Sequence, residues 1–212
     1  MAGFFVAIEG PEGAGKSTLL AWLSSRLHAE GKPAITARQP GGTPVAEAAR
    51  KLVLSARHDL APQTELLLFL AARADLVARV IQPALDQGHV VLVDRFNLST
   101  RAYQVAGRGL LGALVEPAIQ LATRGLEPDL TLVLDVPLAV GRDRLKKARK
   151  ALDRMEQADD AFHERVRQGF LSAAGTGIVH LDATQPKKAV QDAAWREVAI
   201  RGRETLALRA GS

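Results

Sequence analysis

An open, mostly parallel α/β sheet with helices on both faces is the fold this 212-residue sequence predicts, on three observations. Five short apolar, β-rich runs lie at 4–9, 34–37, 90–94, 130–135 and 178–182, and long helical patterns separate them. The runs are nearly continuous in apolar residues rather than alternating, as strands buried on both faces require. The first run leads at once into Gly10-Pro11-Glu12-Gly13-Ala14-Gly15-Lys16-Ser17 and then into a helical pattern, a strand, glycine loop and helix in succession. Helices are expected over 16–30 (stopped by Gly31), 45–56, 62–87, 99–106, 111–124, 138–150, 159–173 and 187–200. Pro83 falls late in the third and is expected to bend or split it, since it lacks an N–H and its ring crowds the preceding turn. The long first piece then carries Phe69 and Arg73 one turn apart on one face. No repeat, low-complexity segment or linker is visible. One domain over 1–200 is expected, with 201–212 as a short helix or loose basic C-terminal tail.

A hydrophobic content of 47% suffices for one sizeable core. The absence of cysteine excludes disulfides, thiolate metal sites and thiol nucleophiles, and a reducing cytoplasm fits it. Residues 1–10 lack a basic start and reach Glu9 before a signal-length apolar stretch forms, so no export signal is expected. The longest apolar segment, 66–81, contains Arg73, Asp75 and Arg79; no stretch can span a bilayer, and a soluble protein without a membrane partner is expected. The net charge of +5 raises the question of nucleic acid. One segment holds the whole excess, with Arg142, Arg144, Lys146, Lys147, Arg149, Lys150 and Arg154 against Asp143 and Asp153. Such a run is either a solvated helix face or a cover for polyanionic ligands, and no general nucleic-acid surface is expected.

In an open α/β sheet, ligands sit beyond the carboxyl ends of the strands, so the residues that follow each strand are the informative ones. After the first, the glycines at 10, 13 and 15 let backbone N–H groups wrap an anion, Lys16 reaches outer phosphates, and Ser17 can hold Mg²⁺. The third ends in Asp94, a Walker-B carboxylate for Mg²⁺ or its waters. Arg95 follows where motor ATPases commonly place a glutamate to polarise water, and its fork suits a second, acceptor phosphate. Transfer to a phosphate-bearing acceptor is therefore favoured over hydrolysis, although an Asp94-Arg95 pair can also merely tie strand to helix. After the second strand, Arg38-Gln39-Pro40-Gly41-Gly42-Thr43 reads as an exposed turn with Arg38 as the charged group at its mouth. Asp135, before Val136-Pro137, reads as a turn or helix-start residue.

The set Ile8 to Ser17, Arg38 to Thr43, Phe69-Leu70-Ala71-Ala72-Arg73, Asp94-Arg95-Phe96 with Ser99 and Ala102-Tyr103-Gln104, and Asp153-Arg154-Met155-Glu156 resembles the bacterial thymidylate kinases. The resemblance runs from Phe4 to about Val198 and implies strand order 2-3-1-4-5, phosphorylation of dTMP to dTDP by ATP with Mg²⁺ in dTTP biosynthesis, and a cytoplasmic homodimer. It implies ATP binding by Gly10, Pro11, Glu12, Gly13, Ala14, Gly15, Lys16, Ser17 and Thr18, with Mg²⁺ at Ser17 and Asp94. Arg38 and Arg95 would grip the acceptor phosphate, with Ser99 in the same site. Phe69 would stack on thymine while Arg73 and Gln104 bond it; Tyr103 would press on the sugar and disfavour a ribose 2′-hydroxyl, and Glu12 would approach the 3′-hydroxyl. On residue pattern alone, Phe69 among Leu66, Leu67, Leu68 and Leu70 reads first as core, Tyr103-Gln104 as an exposed helix pair, and Glu12 as a solvent-facing loop residue.

The family resembled carries a catalytic arginine either inside the phosphate loop or in a lid. Here Gly13 stands at the loop position, and Arg149, four residues before Asp153-Arg154-Met155-Glu156, matches the lid version. With Lys16, Asp94 and Arg95 it completes the expected catalytic set. The basic segment near 142–157 is then a lid that neutralises the transferring phosphoryl group and excludes water, with Arg142 and Arg154 in support. Two residues depart from the family pattern. Gln39 replaces a usual glutamate, removing a negative charge beside Arg38, and Val105 replaces a common glycine, so the backbone there is expected to differ. The alternatives are a related kinase for another pyrimidine nucleotide or deoxynucleoside, and a nucleotide-driven ATPase or GTPase switch. The switch is weakened by the lack of an Asn-Lys-x-Asp motif and of a Walker-B glutamate.

Overall fold

Strands β1 (Phe4–Glu9), β2 (Ala34–Arg38), β3 (Val90–Asp94), β4 (Leu130–Asp135) and β5 (Ile178–Asp182) form one parallel sheet in the order β2-β3-β1-β4-β5, as expected. The computed structural model describes residues 3–32, 34–148 and 153–210, with side chains through Arg203. Register sets the functional edge: Asp94 lies level with Ile8 on one side and with Arg38 on the other. The glycine loop, Asp94-Arg95 and Arg38 therefore leave the sheet side by side.

Because successive strand residues point to opposite faces, the continuous apolar runs feed two cores. Phe4, Val6 and Ile8 pack with Leu19, Leu23 and Leu27 of α1 (Lys16–Ala29) and with Ala194 and Val198 of α9 (Lys187–Ala210). Phe5, Ala7, Val91 and Val93 pack on the opposite face against Leu76, Val77 and Ile81. Helix α1 buries Lys16, Leu19, Leu23 and Leu27, at steps of three and four, which aligns them in one stripe. Helix α2 (Pro44–Leu54) begins with a proline at its first position and with Thr43 as cap, its hydroxyl accepting from Ala46 N at 3.1 Å.

The third expected helix divides as Pro83 requires. Helix α3 (Pro62–Leu76) passes into a π-helical segment, Val77–Ile81, and then into α4 (Gln82–Asp86). Pro83 cannot donate to residue 79, and the widened turn absorbs the missing bond. A second π segment was not foreseen: after the short α5 (Asn97–Thr100), residues Arg101–Gly107 are π-helical. Val105 lies inside it, and among the described residues the only non-glycine positions with positive φ are Arg95 and Arg124. Helices α6 (Gly112–Thr123), α7 (Leu138–Lys147) and α8 (Asp160–Leu171, capped by Asp159) follow. Helix α9 extends ten residues beyond the expected 200, so the described part of 201–212 continues that helix. No helix among the described residues is long and apolar enough to cross a membrane.

Leu23 is fully buried between α1 and the sheet. Leu23→Ala is expected to lower unfolding free energy by about 2–5 kcal/mol in urea denaturation, with no effect on the positions of Lys16 and Arg95.

Candidate active site

The glycine loop is shaped by backbone that other residues resist. Gly10, Gly13 and Gly15 have φ of 133°, 73° and 93°. A Cβ on Gly10 would stand 2.2 Å from the Leu134 carbonyl oxygen, and one on Gly13 would stand 2.3 Å from that of Gly141. Lys16 Nζ donates to the carbonyls of Gly10 (2.9 Å) and Pro11 (2.7 Å), folding the side chain back over the loop. Burial, and then the neighbouring Arg95 charge, push its pKa down to about 8, while Asp94, Glu12 and Glu9 oppose the shift. Ser17 Oγ donates to Asp94 Oδ2 at 2.9 Å, which joins the first turn of α1 to the end of β3.

Arg95 occupies the left-handed region at φ 71°, a conformation that costs a non-glycine residue about 1–2 kcal/mol. Four hydrogen bonds hold the turn in place. Arg95 N donates to Ile8 O at 3.0 Å, and the fully buried Glu9 accepts from Phe96 N (2.7 Å) and Ser99 N (3.1 Å) on Oε1 and from Ser99 Oγ (2.5 Å) on Oε2. The Arg95 guanidinium then donates to Gly10 O (3.1 Å), Ser99 Oγ (3.2 Å) and Glu12 Oε1 (3.1 Å), and lies 5.0 Å from the Tyr103 ring centre. The Tyr103 hydroxyl donates to the same Glu12 oxygen. Burial works against the Glu12 charge, but Arg95, Lys16 and the Tyr103 hydrogen bond reverse it and hold the carboxyl below its usual range. Burial keeps Tyr103 protonated well above the usual phenol range. Glu12 Oε2 is buried without a hydrogen bond, with His163 Nδ1 3.8 Å away.

Glu12, Lys16, Ser17, Asp94, Arg95, Ser99 and Tyr103 line a cavity of about 760 Å³. The loop residues Glu12 through Thr18 form one part of its wall, and Ala183, Gln185, Lys187 and Val190 another. Arg144 bridges these parts, donating to Gly13 O (3.2 Å) and Ala183 O (2.9 Å). Phe69, Arg73, Tyr103 and Gln104 also line the cavity. Phe69 is half-buried and packs beside Tyr103 and Met155, so it is a wall residue as well as a core one. Arg73 is deeply buried and bonds three neutral oxygens: Gln39 Oε1 at 2.6 Å, Asn97 Oδ1 at 3.1 Å and Phe96 O at 3.0 Å. Burial lowers its pKa to about 10, against the pull of Glu9 and Glu127.

The structure thus brings together Glu12, Gly13, Ala14, Gly15, Lys16, Ser17, Thr18, Arg38, Phe69, Arg73, Asp94, Arg95, Ser99, Tyr103 and Gln104. Gly10 and Pro11 contribute the carbonyls that hold Lys16. Gln39 does not face Arg38: it turns to Arg73, and Arg38 pairs instead with Glu47 at 3.2 Å. Arg142 pairs with Asp160, and Arg154 with Glu65 and the Val53 carbonyl. Asp135 is gripped by both ends of the Arg167 fork, at 2.8 Å each. Arg149 lies outside the described residues. Glu9, Arg50, Glu65, Arg108 and Arg144 were not anticipated as site residues. Glu9 ended a strand in an acid, which was a usable signal; Arg50, which donates to Pro40 O at 2.8 Å and lines the cavity, carried none.

A parallel sheet in this order, with a phosphate loop after its first strand and a second cation after its Walker-B strand, defines a P-loop nucleotide kinase. The Thymidylate kinase family model matches residues 8–194, and the chain belongs to that family. It is 45% identical to a thymidylate kinase of Deinococcus radiodurans over 94% of this chain and 98% of the relative. The thymidylate kinases of Pseudomonas entomophila (49%, covering 91% and 93%) and Thermomicrobium roseum (45%, covering 95% and 99%) are similar over comparable spans.

The left-handed turn makes a prediction about stability. Arg95→Gly and Arg95→Ala remove the same ion pair with Glu12, but only glycine relieves the backbone. Thermal unfolding is expected to show the glycine variant more stable than the alanine variant by about 1–2 kcal/mol.

Proposed function

We propose that the protein transfers the γ-phosphoryl group of ATP to dTMP, giving dTDP and ADP. The observation that carries this reading is one cavity in which two separate cations, Lys16 and Arg95, act on Glu12, with Phe69, Arg73 and Gln104 in the same wall. Lys16 and the loop N–H groups take the ATP phosphates. Arg95 takes the acceptor phosphate, joined by Arg38 as it leaves Glu47. An oxygen of that phosphate attacks the γ-phosphorus as the bond to the β-bridging oxygen breaks, so no proton need be removed from the nucleophile. Positioning and charge neutralisation carry the rate. Phe69 stacks on the base, Arg73 and Gln104 bond its edge, Tyr103 packs on the sugar, and Glu12 accepts from the 3′-hydroxyl with the oxygen that has no hydrogen bond in the protein.

Ser17 and Asp94 place two hard oxygen donors together, the donor type Mg²⁺ takes. Among the described residues there is no group of three or more His, Cys, Asp or Glu able to hold a metal, so this pair would share the ion with phosphate oxygens and water. When bound there, Mg²⁺ neutralises charge on those oxygens. Arg149 is assigned the charge on the transferring phosphoryl group. The close packing of Gly13 on Gly141 supports this, because it excludes an arginine at 13 without movement of α7. A homodimer through the outer side of α3 and α6 fits the exposed Leu67, Leu111, Leu114 and Leu121.

An ADP-release assay with ATP and dTMP, dUMP, dCMP, UMP or thymidine tests the reading. dTMP is expected to be preferred; release without acceptor, or no preference, rejects it. Arg149→Ala is expected to lower kcat by about a hundredfold or more while changing dTMP affinity little. An unchanged kcat removes Arg149 from the mechanism.

Lys16 gives a pH dependence of definite sign. Only the charged ammonium binds phosphate, and in the free protein that charge is lost as pH rises through about 8. ATP affinity, measured with dTMP absent and Mg²⁺ constant, is expected to hold below pH 7.5 or so and to weaken above 8, by up to about tenfold per pH unit. A flat profile to about pH 9 would contradict the assignment.

A further inference from the structure

The mechanism leaves Glu65 unused, yet four donor contacts converge on its fully buried carboxylate from the first turn of α3. Oε1 accepts from Gln104 Nε2 at 2.8 Å and Arg108 Nε at 3.2 Å; Oε2 accepts from Arg108 Nη2 at 2.9 Å and Arg154 Nη2 at 2.7 Å. Burial opposes its charge, but the hydrogen bonds from Arg108, Gln104 and Arg154 hold it below the usual carboxylate range. The arginines are themselves anchored. Arg108 lies 4.4 Å from the Phe162 ring centre, and Arg154 Nε donates to Val53 O at 2.9 Å. The carboxylate is thus fixed from both sides.

An ionised carboxylate only accepts hydrogen bonds, so Gln104 must present its NH₂ group to Glu65. The reverse orientation would set two buried acceptors against each other, at the cost of unmade bonds. The Gln104 side chain also lines the cavity with Phe69 and Arg73, and in this orientation its carbonyl oxygen is the atom turned away from Glu65.

We infer that Glu65 is a specificity-determining positioning residue, which fixes the polarity of the Gln104 amide so that the site favours a pyrimidine donating from N3 over one whose N3 only accepts. Thymine and uracil donate there; cytosine does not. The inference rests on the dTMP reading of the cavity. Without Glu65 the amide can turn over and meet cytosine equally well.

The test compares full-length wild type with Glu65→Gln, whose own amide can either donate or accept. KM and kcat for dTMP and the inhibition constant of dCMP against dTMP are measured for each. The ratio of dCMP inhibition constant to dTMP KM is expected to fall by about tenfold or more in the variant, with KM for ATP almost unmoved. Glu65→Asp keeps an acceptor-only group and is expected to keep the wild-type ratio even where kcat falls. If Glu65→Gln does not fold with its two arginines unpaired, the double variant with Arg108→Met removes one of those cations and is read in the same way. An unchanged ratio in Glu65→Gln, or in the double variant where that replaces it, makes Glu65 purely structural and overturns the inference, as does equal loss in Glu65→Asp. Wild type that binds dTMP no better than dCMP overturns the function itself, and the inference with it.

Discussion

Two cations that repel each other are held against one glycine loop, and the carboxylate of Glu12 lies between them. Lys16 reaches the loop from α1 and Arg95 from the end of β3, and Arg95 is one reason the Lys16 pKa falls. Glu12 alone does not make the arrangement stable. The carbonyls of Gly10 and Pro11 accept Lys16, Gly10 also accepts Arg95, and Glu9 ties down the turn that carries Arg95. Positive charge left in so buried a place costs desolvation energy and, in the proposed reaction, attracts two phosphate chains.

The sheet makes this possible because a parallel register ends several strands at one level. Asp94 is level with Ile8 and Arg38, so three loops of different chemistry emerge within reach of each other. The part of the cavity lined by Phe69, Arg73 and Gln104, where we place the acceptor, is built differently, from α3 and the π-helical segment that follows α5. There Arg73 bonds only neutral oxygens, among them Gln39 Oε1. Gln39 Nε2 is left buried without a partner, and Arg73 keeps a pKa lowered by burial. Neutral partners pair the arginine weakly, and in the proposed reaction its charge is available to the ligand.

Much of this was legible in the sequence, for local reasons. Strands read as apolar runs because both faces are buried, and the glycine loop read as an anion cradle because its spacing implies a backbone that only glycine adopts easily. Phe69 and Arg73 were placed together by helical period. What could not be read depends on contacts between distant positions: Glu65 meets Arg154 across 89 residues, and no periodicity or motif marks such a pair. The π-helical segment at Arg101–Gly107 escaped because α and π turns share composition and differ in how tertiary packing spaces the ladder. Pro83 revealed the other break because a missing N–H is a chemical fact of the sequence.

In the proposed reaction one cavity holds both phosphate chains end to end across Glu12. The most direct test is inhibition by a molecule in which adenosine and thymidine are joined through a pentaphosphate. Competition against both ATP and dTMP is expected, with affinity about a hundredfold or more above that of either nucleotide alone, because one molecule occupies both sites. Competition against only one substrate, or affinity no better than that of ATP, would contradict it.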